Sequence, residues 1–506
     1  MNIVLIALDT QRADHLGCYG YPKNTSPFLD SLAQQGTVFE KCYAPNIPTH
    51  PSFTTMLSGK EAITHSIVNI GGAVPIKEGV RLLPEILREH GFATAAVDTM
   101  GRHFSRGFDH YKVPEWDRSD PTTLRRAEHV NAMALPLIAE LKAQEKPFFL
   151  FLHYWDPHTP YLPPEPYREM FYEGHNPYDE SNHSMDLAWN DPRFRWYYHD
   201  WMPGVTDSNY VNALYDAETR YLDDNLKHVW DALGSARDET LVLFTADHGE
   251  ILDDHLGFYD HHGLYEGDVH VPLILVGPHV PEGKRATGFV QNVDFVPTFL
   301  EMLGLEDVDS TEGRSLLPIL KGEREGNYSE VFLSEATWEL KRGTVDGKWK
   351  FIDSVEQDYH GRPMQELFDL EADPGEQVNL AQSKPEVVAQ LKARLDAWVA
   401  RRLEETGRSV DPLREQGICG TGIGTPKPGE VVGAGATPLH LRHGAVAAAI
   451  PDPSELREQH DKQPAAPAST SGAVAEAPAN TAHDENTGAP LHGYVEENEQ
   501  AQAQPN

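Results

Sequence analysis

The feature that most constrains the fold is an alternation of short apolar runs with amphipathic segments. Continuous apolar runs of this length are typical of strands that are buried on both faces of a parallel sheet. The predicted strands are residues 3–8, 93–97, 148–153, 241–246 and 273–276, and the predicted helices are residues 26–35, 82–90, 127–144 and 212–233. This order predicts an α/β fold, a three-layer sandwich with a mostly parallel central sheet.

A different pattern begins after residue 325. Residues 330–333, 343–345 and 349–352 favour short antiparallel strands, and residues 385–402 favour a helix. We therefore predict three parts: a catalytic domain over residues 1–325, a small α+β subdomain over 326–407, and a tail over 408–506. The tail is rich in Ala, Pro, Gly, Glu and Gln, a composition that favours disorder because it buries little apolar surface.

The charge balance excludes some classes of partner. The 506 residues carry 78 acidic and 42 basic side chains, a formal net charge of -36. Such a surface repels nucleic acid and anionic membranes, so we expect neither as a partner. An anionic substrate would need a locally positive site, which a bound cation could supply. Three cysteines form no disulfide framework, and neither a leader nor a membrane segment is evident, so we expect a cytoplasmic protein. The oligomeric state cannot be read from the sequence.

Acidic and imidazole side chains follow two of the predicted strands. Asp9 comes directly after the first strand, and Asp247 and His248 come directly after residues 241–246. In open α/β sheets, ligands bind beyond the carboxyl ends of the strands. Carboxylate and imidazole groups that converge there would suit a divalent metal. A single Asp after a strand is more often a turn or cap residue, but two such strand ends favour a metal site.

Thr49 stands at the start of a helix-like segment, NIPTHPSFTTMLSGK, over residues 46–60. A nucleophile there would lie at a helix N-terminus, where backbone N–H groups stabilise an anion. A capping role is equally compatible with the spacing.

A series of motifs in fixed order resembles the sulfatase family of the alkaline phosphatase superfamily. The matching segments are DTQRADHLGCYGY (9–21), SPFLDSLAQQGTVFEKCYAP (26–45), PTHPSFTTMLSGK (48–60), LPEILREHGFATAAV (83–97), RGFDHY (106–111), FLHYWDPHTPYLPP (151–164), TADHGEILDDHLGFYDHHGLYEGDVHVPLIL (245–275), GRSLLPILKGE (313–323) and ELFDLEADPGEQVNLA (366–381). The resemblance implies an alkaline-phosphatase-like fold and an ester hydrolase.

It also implies roles for individual residues. Asp9, Asp247 and His248 would hold a metal, and Thr49 would take the nucleophile's position with its oxygen on that metal. His262 and His158 fall where the family binds the ester group or protonates the leaving group.

Four departures from the family pattern change the expected chemistry. Sulfatases carry Cys or Ser at the Thr49 position, and an enzyme oxidises that residue to formylglycine. Thr49 cannot form this aldehyde, because its β-carbon bears a methyl group. Phe53 replaces the family's Arg, and Thr10 replaces a second Asp after Asp9. The Lys that the family often has near the GLYE segment is also absent, and Asp260, His261 and His262 stand there.

The metal is expected to be one divalent ion per chain, of open identity among Ca, Mn, Mg and Zn. A second ion could draw on Asp156, His158 and His262, although their D-x-H spacing differs from the D-x-x-x-H of two-metal relatives.

The leading hypothesis is hydrolysis of a small anionic sulfate or phosphate ester, with Thr49 favouring phosphorus. The alternatives are a transferase that moves a phosphoryl or related group to a soluble acceptor, and a non-catalytic homologue that binds metal or anions. Substrate choice would depend on the aromatic-rich residues 165–210, whose side chains suit either a sugar or aryl group or packing within the loop.

Overall fold

The computed structural model describes residues 1–69, 75–100, 103–114, 126–191, 194–306, 311–358 and 360–418. The strands are β1 Asn2–Leu8, β2 Thr37–Tyr43, β3 Asn46–Ile47, β4 Ala93–Val97, β5 His110–Lys112, β6 Phe148–Tyr154, β7 Thr240–Thr245, β8 His270–Val271, β9 Leu273–Val276, β10 Lys284–Gln291, β11 Val331–Glu335, β12 Lys341–Val345, β13 Trp349–Ser354 and β14 Gln365–Asp369. The helices are α1 Pro27–Gln35, α2 Thr49–Ser58, α3 Ala62–His65, α4 Leu83–Glu89, α5 Ala127–Lys142, α6 Asp186–Asn190, α7 Arg195–Trp201, α8 Ser208–Leu233, α9 Glu266–Val269, α10 Phe295–Leu303, α11 Leu317–Leu320, α12 Pro385–Glu405 and α13 Pro412–Gln416. Within these residues, no helix combines the length and apolar character needed to cross a membrane.

The large sheet has nine strands, eight of them in the order β10-β2-β9-β7-β1-β6-β4-β5, with β8 paired to β2. The pairs β7–β1, β1–β6, β6–β4 and β4–β5 are all parallel, and β9 is antiparallel to its neighbours. The predicted α/β fold with a mostly parallel central sheet is therefore confirmed. Strands β2 and β10 escaped prediction because their polar side chains interrupt the apolar pattern.

Strand β1 lies in the middle of this sheet and is covered on both faces. Ile3, Leu5 and Ala7 pack into one hydrophobic cluster, which includes residues of α2 and α4. Val4, Ile6 and Leu8 pack into the other, which includes residues of α1, α5 and α8. Because successive side chains of a strand point to opposite faces, a continuous apolar run packs into the hydrophobic clusters on both faces of the sheet.

The small sheet has the order β14-β13-β12-β11-β3. Strands β11 to β14 pair antiparallel, as predicted for the second region. Helix α12 covers one face, where Leu391 and Leu395 pack with Phe351 and Leu367. Strand β3 joins this sheet by parallel pairing with β11, so a segment from the first 50 residues completes it.

The described chain continues to residue 418, past residue 408, where the tail was predicted to begin. Helix α13 begins after Asp411, whose carboxylate forms a buried ion pair with Arg342 at 2.6 Å. Leu413 is fully buried against Ala62 and Ala336. Residues 419–506 lie outside the described residues, and the predicted disorder of this part stays a prediction.

Candidate active site

Asp9 and Asp247 meet because their strands are parallel neighbours. In the register of β1 and β7, Ala7 pairs with Thr245, so the residues that follow both strands emerge at one edge. Asp9, Asp247 and His248 are fully buried, and one ligand atom from each lies within 4.8 Å of the others. The structure therefore assembles the three side chains that the sequence proposed as metal ligands.

The electrostatics of this cluster fit a bound cation. Burial and the Asp247 charge raise the pKa of Asp9, and burial likewise raises the pKa of Asp247. Asp9 Oδ1 and Asp247 Oδ2 are buried without a hydrogen-bond partner among the described residues. Two buried carboxylates with unsatisfied oxygens are costly unless a cation or proton neutralises them. The residues thus fit the divalent metal that the sequence led us to expect.

His248 has one ring nitrogen oriented towards this cluster. Its Nδ1 donates a hydrogen bond to the backbone carbonyl of Gly249 at 2.9 Å, which leaves the Nε2 lone pair as an acceptor. Burial and the neighbouring His261 lower the pKa of His248 to about 3. A neutral imidazole with a free lone pair is the form that binds a metal.

Thr49 is the first residue of α2, and its Oγ1 lies 3.1 Å from Nε2 of His248. Pro48 occupies the N-cap position, and no side chain caps this helix. Of the two roles left open by the spacing, capping is therefore not the one that the structure assigns to Thr49. Its hydroxyl is buried at the helix N-terminus, directly against the candidate metal ligands.

Ser52 links the start of α2 to the candidate metal ligands. Its hydroxyl donates to the backbone carbonyl of Asp247 at 2.6 Å and accepts from Asn292 Nδ2 at 2.8 Å. These bonds hold the first turn of α2 against the carboxyl end of β7.

The substituted positions Thr10 and Phe53 are both buried. Thr10 has a positive φ of 57°, and its Oγ1 has no hydrogen-bond partner among the described residues. Its backbone N–H lies 3.4 Å from Asp247 Oδ1, so the residue borders the cluster. Phe53 packs among aromatic rings, in contact with Phe104, Phe151 and His153.

His153 and Asp98 are site residues that the sequence reasoning missed. Nε2 of His153 lies 3.1 Å from Asp9 Oδ2, and its Nδ1 lies 2.8 Å from Asp98 Oδ1. These two carboxylates outweigh burial and raise the pKa of His153 to about 9. A positive charge therefore lies beside Asp9, and Phe53 packs against the ring that carries it. The only signal was that both residues sit at the ends of predicted strands.

His158 and His261 lie on the same side of the site as His248. The rings of His261 and His248 are 4.4 Å apart, and those of His261 and His158 are 5.2 Å apart. Asp260 and Glu250 outweigh burial and raise the pKa of His261 to about 10. His261 thus places positive charge beside His248, and it belongs to the triplet that stands where the family often has Lys.

His262 is directed elsewhere. Its Nε2 lies 3.1 Å from Nε2 of His360, and Glu339 completes a cluster with them. Asp156 instead forms a side-chain hydrogen bond with Glu218, and the pKa of both carboxyls is raised by burial. The second-metal set of Asp156, His158 and His262 is therefore not brought together, because these side chains have different partners. A role for His262 at the ester group stays a prediction.

The described residues of segment 99–107 contribute no cation to the cluster of Asp9, Asp247 and His248. His103 stacks on His50 with ring centroids 4.3 Å apart. Arg106 pairs with Glu85 at 3.0 Å and bonds to nearby backbone carbonyls. Arg102 lies outside the described residues.

The aromatic side chains of residues 165–210 mostly pack against one another. Phe194, Tyr197, Tyr198 and Trp201 belong to one buried cluster. Two short helices, α6 and α7, interrupt the segment that was predicted as a loop. Of the two interpretations of these aromatics, the structure supports packing for the buried ones.

Comparisons with known proteins agree with this architecture. The sulfatase family matches residues 1–305, and the family described as "N-sulphoglucosamine sulphohydrolase, C-terminal" matches residues 254–401. An N-acetylglucosamine-6-O-sulfatase of Bacteroides thetaiotaomicron is 25% identical over 468 residues, covering 75% of this chain and 82% of its own. A multifunctional alkaline phosphatase superfamily protein of Trinickia caryophylli is 25% identical over 505 residues, covering 82% of this chain and 97% of its own.

Solved structures share the fold. The phosphonate monoester hydrolase of Agrobacterium radiobacter superposes with a TM-score of 0.64 at 22% identity, covering 79% of this chain and 96% of its own. The sulfatase match alone spans more than half of the 506 residues, in the order of motifs described above. The chain therefore belongs to the sulfatase family of ester hydrolases.

Proposed function

We propose that this protein hydrolyses a small anionic ester with Thr49 as the nucleophile and a divalent metal held by Asp9, Asp247 and His248. The observation that carries the proposal is the 3.1 Å approach of Thr49 Oγ1 to His248 Nε2 at the N-terminus of α2. A metal bound to these ligands would lower the pKa of the Thr49 hydroxyl and offset negative charge on the substrate.

The surrounding residues suit an anionic reacting group. The backbone N–H groups in the first turn of α2 would stabilise negative charge that develops on the reacting group. His261 adds positive charge, since its pKa is raised to about 10. His158 donates from Nδ1 to the backbone carbonyl of Thr159 at 2.7 Å, and an imidazole is a common general acid for a leaving group.

We propose further that the preferred substrate is a phosphorus ester. Formylglycine hydrate expels sulfate through its second hydroxyl, and Thr49 has only one. A Thr ester must therefore be released by external water, a route familiar for phosphoryl groups on threonine nucleophiles of this superfamily.

A substrate panel tests both parts of the proposal. Aryl sulfates, phosphate monoesters, phosphodiesters and phosphonates are compared by kcat/KM with the metal-loaded enzyme. We expect Thr49→Ala to lower kcat on the best substrate on the order of 10³-fold or more. Thr49→Ser keeps the hydroxyl and should retain most of the activity.

Two results would contradict the proposal. Full activity of Thr49→Ala on the best substrate would remove Thr49 as the nucleophile. A higher kcat/KM for aryl sulfates than for every phosphorus ester would contradict the proposed preference for phosphorus esters. The assignment of Thr49 as the nucleophile would be unaffected.

A further inference from the structure

A second cluster of metal-ligand side chains lies outside the Asp9 site. His262 comes from the connection between β7 and β8, Glu339 from that between β11 and β12, and His360 from that between β13 and β14. One nitrogen of each histidine and one carboxylate oxygen lie within 4.8 Å of one another. The cluster thus joins the two sheets of the protein through side chains of three separate loops.

The imidazole rings of His262 and His360 approach each other through their Nε2 atoms. Nε2 of His262 and Nε2 of His360 are 3.1 Å apart, and the rings are nearly parallel, 9° from each other. Two zinc-bound imidazole nitrogens, each about 2.0–2.1 Å from the ion, lie a little over 3 Å apart when both contact the same metal. The separation of the two nitrogens therefore matches a shared ion.

The charges around the cluster favour a cation. Lys341 lies 2.7 Å from Glu339, 3.2 Å from Asp358 and 3.8 Å from Glu366. Arg362 lies 2.7 Å from Glu339.

A fourth carboxylate, that of Glu335, accepts the N–H of Gly263 at 2.6 Å, next to His262. Four buried carboxylates thus surround two cations. Buried carboxyl groups that outnumber the neighbouring cations must be neutralised by protons or by a bound cation, and a divalent ion would serve here.

Glu339 can bind a metal while keeping its ion pairs. Its Oε1 pairs with Arg362 and its Oε2 with Lys341. Each carboxylate oxygen has two lone pairs, so either oxygen has capacity for a further ligand bond. An anionic ligand, by contrast, would add to the excess of negative charge.

We propose that His262, His360 and Glu339 bind a second divalent transition metal of the zinc class, separate from the ion at Asp9, Asp247 and His248. Two imidazoles and one carboxylate are a ligand set that zinc uses in three-ligand sites with an open fourth position. In this arrangement His262 holds the second ion instead of contacting the ester directly. This second site rests on ligand geometry and charge alone and is independent of the reaction at Thr49.

Metal content tests the proposal without any activity assay. The full-length protein is stripped with a chelator, reloaded separately with Zn²⁺ and Co²⁺, and measured for bound metal per chain. We expect two ions in the wild type and one in His360→Ala. With Co²⁺, the visible absorption of a low-coordinate imidazole site should disappear in His360→Ala and persist in Asp247→Asn, whose first site is damaged.

Controls separate a lost ligand from a lost fold. His360 lies in a half-buried loop, so His360→Ala should keep the wild-type circular dichroism spectrum. Glu339→Gln is a second variant that removes the ligand charge, and His175→Ala removes an exposed histidine that should leave two ions bound. The proposal would be overturned if His360→Ala and the wild type had equal metal content and equal Co²⁺ absorption. It would also be overturned if the wild type bound a single ion and Asp247→Asn lost that ion. A single ion that Asp247→Asn keeps and His360→Ala loses would support this site while contradicting the metal at Asp9.

Discussion

At the scale of single residues, Asp9 is held by more than the candidate metal. One oxygen, Oδ2, is 3.1 Å from His153, while the other has no hydrogen-bond partner among the described residues. His153 is held in turn by Asp98, and Thr99 Oγ1 lies 2.9 Å from the same ring nitrogen. Partners of this kind orient a metal ligand and tune its basicity. We therefore regard His153 and Asp98 as positioning residues for Asp9.

The substitution Asp98→Asn tests this arrangement. It removes the charge that holds His153 protonated beside Asp9, while Asn keeps a similar shape. We expect metal affinity, measured by titration of the stripped protein, to fall about 10–100-fold, the range usual for partners of metal ligands. Asp109→Asn is a matched control, because Asp109 accepts a backbone N–H from Thr94 and contacts no candidate ligand. Unchanged metal affinity in Asp98→Asn would show that Asp9 is oriented without this chain of contacts.

At the scale of elements, α2 is positioned by core packing along its length and by polar contacts at its first turn. The polar contacts hold the first turn, and with it Thr49, at the end of β7. Ser52 provides that link through Asp247 and Asn292. At its other end, α2 stops at Gly59, whose φ of 64° suits a residue without a β-carbon.

The substitution Ser52→Ala tests the link between α2 and β7. It leaves the Asp247 carbonyl and the Asn292 amide without this partner in a buried place, so we expect unfolding in urea to show a loss of about 1–3 kcal/mol. We also expect kcat to fall, since Thr49 is no longer held in position. Ser58→Ala is the control within the same helix, because Ser58 donates to the Thr54 carbonyl, away from the cluster. A kcat equal to that of the control would mean that Ser52 serves stability alone.

At the scale of the whole molecule, the central sheet brings buried carboxylates together at its carboxyl edge. Folding removes Asp9 and Asp247 from water, and their pKa values rise because ionisation there is unfavourable. A metal that binds the folded state only would recover this cost and stabilise the fold.

Chelation of the purified protein should therefore lower its Tm, and divalent metal should restore it. At a free metal concentration about 100 times the dissociation constant, the expected stabilisation is about 2.7 kcal/mol. Thermal unfolding followed by circular dichroism, with and without chelator, measures the shift. Asp247→Asn should show a smaller difference between the two conditions than the wild type. An identical Tm with and without chelator would argue against metal in the folded state.

The sequence alone determined the class of fold and named the candidate metal ligands. Continuous apolar runs reported which segments are buried on both faces, and a carboxylate that follows such a run marks the carboxyl edge of a parallel sheet. Asp9, Asp247 and His248 could be found in this way, since each is placed by its own strand. The motif order added Thr49, although its spacing could not separate a nucleophile from a cap.

Only the tertiary structure decided which of these residues meet. The pairing of β1 with β7 and β6 is a long-range choice that local pattern does not encode, and it selects Asp247 and His153 as the neighbours of Asp9. His261 and His262 are adjacent in sequence, yet one lies against His248 and the other against His360. Side-chain direction in a loop depends on what packs around it, and here Glu339 and His360, from loops of the small sheet, lie beside His262.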